Sequence, residues 1–87
     1  MADTPTAAEI AAHFSAMDDS VALINATAAD DTDALAMHGD AAEVKLMVTR
    51  NTDHLEIQAT HSWYSDSSKS KTPYTGAVTA GKAYVAG

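Results

Sequence analysis

The sequence predicts a mainly α-helical protein, with two amphipathic helices and a short C-terminal helix that form a helical hairpin or an oligomeric bundle. Two stretches of the chain repeat apolar residues at steps of three and four, which places those residues on one face of a helix. Residues typical of helix starts and breaks flank both stretches. Good helix formers such as Glu, Lys, Arg and Gln fill the second stretch.

The first helix is predicted to run from about residue 5 to residue 29. Thr4-Pro5 is typical of an N-cap followed by the first helical residue, where the missing proline N–H costs nothing. Apolar residues then follow at alternating steps of four and three: Ile10, Phe14, Met17, Val21, Ile24 and Ala28. This seam resembles a heptad repeat, so it must be buried against another helix.

A joint is predicted at residues 30–40. Asp30-Asp31-Thr32-Asp33 favours caps and turns, because short polar side chains compete for backbone hydrogen bonds. Gly39-Asp40 offers a second break. The second helix therefore begins near Asp33 or near Ala41, and it ends near residue 60.

The second helix carries its own seam, out of phase with the first: Ala41, Val44, Val48, Asn51, Leu55 and Gln58. Asn51 has two interpretations. An asparagine buried in a seam fixes helix register at some cost in stability, whereas an exposed one has no such role. The two seams can pack on each other or on copies of themselves.

The alternative interpretation of residues 43–60 is a β-hairpin in an α+β domain. Apolar residues alternate over 44–48 and again over 55–59. Asn51-Thr52-Asp53 would form the turn, but it lacks the glycine of the strong hairpin signals. The helix formers in the segment favour the helical interpretation.

The end of the chain is predicted to contain a polar loop at 61–71 and a C-terminal segment at 72–87. Thr72-Pro73 repeats the start signal of the first helix, and Gly81 is placed to end a short helix. The alternative interpretation of residues 74–87 is β structure. At 87 residues, the chain is long enough for a single small domain, which we assign to 1–87.

The charge pattern bears on partners and location. The net charge is −7, and residues up to Asp40 include eight acidic side chains and no Lys or Arg. Phosphate contacts need clustered basic residues, so we expect neither nucleic acid nor an anionic membrane surface as partner. No apolar run approaches the ~20 residues of a membrane span, and the start lacks the pattern of a secretory signal. We therefore expect a chain that is made and kept in the cytoplasm, or in a particle assembled there.

No residue pattern indicates catalysis, a metal or a cofactor. The four histidines are His13, His38, His54 and His61. His54 and His61 would lie two turns apart on a helix, about 10 Å along its axis, too far for one ion within one chain. No Gly-x-Ser-x-Gly elbow or phosphate-binding glycine loop occurs. We therefore expect a protein that is not an enzyme.

Two stretches carry a resemblance: "RNTDHLEIQ" at 50–58 and "AVTAGKAYVAG" at 77–87. They resemble short proteins encoded among the structural genes of tailed bacteriophages and prophages. Those proteins have an Arg-Asn-x-x-His-Leu-Glu-like helix, a polar link and a short helix that closes on Gly-Lys-x-Tyr. The resemblance covers roughly the second half of the chain, and the Ser-rich link of this chain departs from it. It implies a virion or assembly component and no catalytic residue.

The sequence thus predicts a non-enzymatic structural or assembly protein, such as a minor capsid, decoration, fibre-stem or connector-associated component of a virion. Its expected partners are copies of itself and other virion proteins. A small cytoplasmic adaptor or regulatory module that binds another protein is the alternative. The residues predicted to carry association are Ile10, Phe14, Met17, Val21, Ile24, Val44, Val48, Asn51, Leu55 and Trp63.

Overall fold

The computed structural model describes residues 4–87, and residues 1–3 of the predicted domain lie outside that range. Five helices and no strand occur in the described range. They are α1 (Ala7–Ala29), α2 (Thr32–His38), α3 (Ala41–Gln58), α4 (Ser62–Asp66) and α5 (Thr72–Ala86). The predicted mainly α class is confirmed. The alternative β-hairpin at 43–60 is wrong, because α3 covers nearly all of that segment.

The first helix begins two residues later than the sequence predicts, and Thr6 is its N-cap instead of Thr4. The Glu9 backbone N–H donates to Thr6 Oγ1 at 3.1 Å, and the Thr6 N–H donates to Glu9 Oε1 at 2.9 Å. This reciprocal capping box satisfies two of the free donors at the helix start. These hydrogen bonds stabilise the Glu9 carboxylate and hold its pKa below its ordinary value.

The predicted joint at 30–40 contains the short helix α2. It ends at Gly39, whose φ of 92° is left-handed and suits a residue without a side chain. Asp40 then caps α3, because its carboxylate accepts a hydrogen bond of 2.8 Å from the Glu43 N–H. The second long helix therefore begins at Ala41, and α2 is separate from it.

The end of the chain is more helical than the sequence predicts. The polar stretch at 61–71 includes α4, in which Tyr64 is buried. The C-terminal helix α5 runs from Thr72 to Ala86 without a break at Gly81, so the expectation that Gly81 ends this helix is wrong. Gly81 instead lies where α5 packs against α3.

The three long helices each contact the other two and form an elongated bundle of 42 × 21 × 18 Å. Apolar side chains from these helices and from α4 form the core: Phe14, Met17, Ile24, Val44, Val48, Leu55, Tyr64, Tyr74 and Ala77. Ser20 and Thr27 are also buried, while Ala28 of the predicted seam is exposed. The buried face of α1 is wider than a two-helix seam because α1 packs against both α3 and α5.

Within residues 4–87, four large hydrophobic side chains are exposed: Leu23, Met37, Leu46 and Ile57. Met37 is the most exposed of them, at 81%. Among the helices of residues 4–87, none has both the length and the hydrophobicity to cross a bilayer.

Candidate functional site

The structure places most of the residues predicted to carry association inside the bundle of a single chain. Six of them are buried: Phe14, Met17, Ile24, Val44, Val48 and Leu55. Ile10, Val21 and Trp63 are partly buried and pack against the same core. The two seams pack against each other, and α5 packs against both of their helices. In this folded state the buried side chains are therefore out of reach of a partner.

Asn51 joins α3 to α1 through a polar network. The buried Ser20 hydroxyl donates to Asn51 Oδ1 at 2.9 Å, and His54 Nδ1 lies 2.8 Å from Ser20 Oγ. The Asn51 amide donates to the Met47 carbonyl at 2.9 Å, which leaves Oδ1 facing Ser20. Ser20 Oγ therefore contacts two side chains of α3, Asn51 and His54.

This trio contains the residue types of a nucleophilic site, but its geometry suits packing. A catalytic serine needs a histidine that accepts its proton and an acid that orients the histidine. Here the one hydroxyl proton of the serine goes to an amide oxygen, which leaves none for the histidine nitrogen to accept. Ser20 is 4% exposed, so a substrate carbonyl cannot reach its Oγ. The network satisfies buried polar groups between two helices.

The other histidines lie apart from His54. His13 and His61 flank Trp63 at one end of the bundle, and His38 lies exposed at the end of α2. Within residues 4–87, no group of three or more His, Cys, Asp or Glu side chains could hold a metal ion.

Trp63 on α4 is the centre of a ring cluster. The His13 imidazole stacks on its indole with centroids 4.9 Å apart, and His61 stacks at 5.7 Å. Phe14 meets Trp63 edge-on at 5.4 Å and joins it to the buried Tyr64 and Tyr74 rings. Trp63 therefore packs on the end of its own core. An open cavity of about 920 Å³ lies beside it, lined in part by Ile10 and Asp66.

Two tyrosines tie α5 to the acidic half of the chain. Tyr74 donates to Asp18 Oδ1 at 2.6 Å, and Tyr84 donates to Asp31 Oδ2 at 2.9 Å. Burial raises the pKa of the Tyr74 hydroxyl well above its ordinary value, and the bond to Asp18 raises it further. The pKa of Tyr84 is raised by desolvation and by Asp31.

An exposed apolar groove lies where α1, α2 and α3 meet, and it is the candidate functional site. Its volume is about 320 Å³. Leu23 of α1, Met37 of α2 and Met47 of α3 form its apolar walls, and Ala26 and Ala34 also line it. Leu23 is 48% exposed, so water covers apolar surface that a partner could bury.

Asp30 and Asp33 supply the negative charge that lines this groove. The sequence pattern misses the site because Leu23 and Met47 lie off the seams and Met37 lies in the predicted joint. The only sequence feature that points to these groove residues is that each is an apolar residue outside a seam. Only the packing of three helices shows that these residues converge.

In comparisons with known proteins, no family model, curated protein or solved structure matches the chain.

Proposed function

We propose that this chain is a non-enzymatic structural or assembly protein of a bacteriophage particle, and that it acts by binding other proteins. The groove at Leu23, Met37 and Met47 is the observation that carries the binding role. Apolar side chains from three helices are exposed to water in this groove. A partner that covers them removes apolar surface from water, which lowers the free energy.

The phage context is supported by the resemblance of residues 50–58 and 77–87 to short tailed-phage structural proteins. Both stretches are helical here, within α3 and α5, and they pack against each other in the bundle. The resemblance implies a minor capsid, decoration, fibre-stem or connector-associated role, with location in the virion.

The non-enzymatic part of the proposal is supported by the chemistry of the buried polar groups. In the described residues, every buried side-chain nitrogen and oxygen has a hydrogen-bond partner. The Ser20, Asn51 and His54 network is occupied by its own members.

The mode of association follows from burial. The large apolar residues of the seams are buried or half-buried within one chain, so binding to other virion proteins or to further copies uses surfaces outside the core. An association that opened the bundle would expose Met17, Ile24, Val44 and Val48, all of which are fully buried. Exposing each such side chain costs about 1.5–3 kcal/mol.

The test is to purify particles from the cells that encode the chain and to measure its copies per particle by quantitative mass spectrometry. A fixed number of copies that survives a density gradient supports the proposal. A chain that stays in the soluble fraction, with none in the particles, contradicts the virion assignment.

A second candidate function is a small cytoplasmic adaptor that binds another protein. The closure of both seams within one chain favours it, because a folded monomer needs no second copy to bury its core. Light scattering on a sizing column separates the candidates in part. A monomer that is absent from particles supports the adaptor, and a discrete oligomer supports the assembly role.

A further inference from the structure

The exposed groove has the dimensions of a site for one side of a helix. Its wall on the α1 side runs from Leu23 to Asp30, the residue that caps the end of α1, and these seven steps of 1.5 Å span about 10 Å. Two turns of a partner helix span the same length. Apolar side chains at i, i+3 or i+4, and i+7 of that helix would lie along the groove.

The side chains that line the groove can adjust to the apolar side chains of a bound helix. Met37 and Met47 are unbranched and have three rotatable bonds, so they can adjust to different apolar side chains. The small side chains of Ala26 and Ala34 leave room between the walls for inserted side chains.

The charge around the groove is negative. Asp30 and Asp33 line it, and helix spacing places an exposed acid one turn before Leu23 and another one turn before Met47. We call these four acidic residues the acidic rim of the groove: Asp19, Asp30, Asp33 and Glu43. Arg50, one turn beyond Met47, does not line the groove. His38 at the end of α2 is the other titratable lining residue.

We infer that the groove binds an amphipathic helix of another protein, with an apolar stripe in the groove and Lys or Arg beside that stripe. This inference rests on the proposed binding function and names the chemistry of the partner. Basic side chains of the partner complement the acidic rim and set its orientation. A second copy joined groove to groove would bring the acidic rims of the two chains together, which is unfavourable.

The first experiment uses a fluorescent amphipathic peptide with leucines at helical spacing and lysines between them. Its anisotropy is measured against the purified chain at low and at moderate salt. We expect saturable one-to-one binding that weakens with salt, because the rim attraction is screened. The same peptide with glutamate in place of lysine binds at least about tenfold more weakly, because like charges meet at the rim.

Matched variants separate the groove from the general attraction of a −7 chain for a cation. The groove variant is Leu23→Ala with Met37→Ala, and the control is Leu46→Ala with Ile57→Ala. All four side chains are exposed, so neither pair removes buried core. We expect the groove pair to weaken lysine-peptide binding by about tenfold or more, and the control pair to change it by less than about twofold.

A charge variant tests the rim in the same assay. Asp33→Lys reverses one rim charge in the first turn of α2. We expect it to weaken the lysine peptide and to strengthen the glutamate peptide, whereas a structural effect would weaken both.

Equal loss in the groove and control variants, or no saturable binding, overturns the inference. Concentration-dependent dimerisation that the groove variant abolishes also overturns it, in favour of a second copy as occupant. The particle measurement is independent of the peptide assay. A chain in fixed copy number in particles without peptide binding keeps the proposed function and removes this inference alone.

Discussion

Gly81 on α5 lies so close to Thr52 on α3 that a Cβ atom at position 81 would overlap Thr52 Oγ1. The same Cβ would lie 3.3 Å from Ile24 Cγ2 on α1. Thr52 is buried, and its hydroxyl is held by the Val48 carbonyl at 2.8 Å. The three long helices therefore come into close contact at a residue without a side chain.

Gly81→Ala is expected to destabilise the bundle, although alanine is the better helix former. Overpacking costs about 1–3 kcal/mol, and the gain in helix propensity offsets about 1 kcal/mol of it. The matched control is Gly76→Ala on the same helix, where the new Cβ would meet nothing within 4 Å. Urea unfolding followed by circular dichroism should show opposite signs for the two variants. An equal rise in stability for both would contradict this close approach.

Ser20→Ala is expected to lower the free energy of unfolding by about 1 kcal/mol relative to Ser15→Ala. Both changes give the same helix-propensity gain on α1, but Ser15 is exposed and Ser20 bridges Asn51 and His54. The measurement is the difference between the two variants in urea unfolding. Equal effects at both positions would show that the network adds nothing to stability.

Stability is expected to fall at alkaline pH, partly through Tyr74. Its pKa is raised in the folded state by burial and by Asp18. Tyr74 is protonated in both states below about pH 10, so its contribution is fully present there. Above that pH the unfolded chain loses the proton first, and stability falls as the pH rises. Tyr74→Phe should flatten this loss from about pH 10 upward, measured by urea unfolding.

The wild type, unfolded in urea at the same pH values, is the control. Tyrosinate absorbance gives a second readout, since Tyr74→Phe should remove a hydroxyl that ionises late in the folded protein. An unchanged alkaline titration would contradict the Tyr74–Asp18 contact.

Met17→Ala is expected to cost about 2–5 kcal/mol, because it leaves a cavity in the core at a fully buried position. Met37→Ala is the control, with the same chemical change at a side chain that is 81% exposed. It should change the free energy of unfolding by less than about 0.5 kcal/mol. Thermal unfolding of the two variants checks the difference. A similar cost at both positions would contradict the burial assigned to α1.

The sequence by itself determined the helical class and most of the core. Ile10 to Ile24 and Val44 to Leu55 repeat at the helical period, and a helix must bury such a stripe. Breaks near Asp30 and Gly39 were readable because these residues favour caps and a left-handed backbone. Local chemistry was sufficient for these features.

The tertiary structure alone decided what covers the seams. The C-terminal helix was predicted to end at Gly81, yet it continues and forms the third wall. Glycine is a weak helix former in isolation, but close packing against Thr52 and Ile24 favours it here. The burial of Ser20 also depends on tertiary structure, because its hydroxyl faces Asn51 and His54 of α3.

The candidate site also depended on tertiary structure. Leu23, Met37 and Met47 lie on three different helices, and no periodic pattern joins them. A seam is a property of one helix and can be read from its spacing. A groove is a property of how helices pack, so it exists only once α2 is placed between α1 and α3.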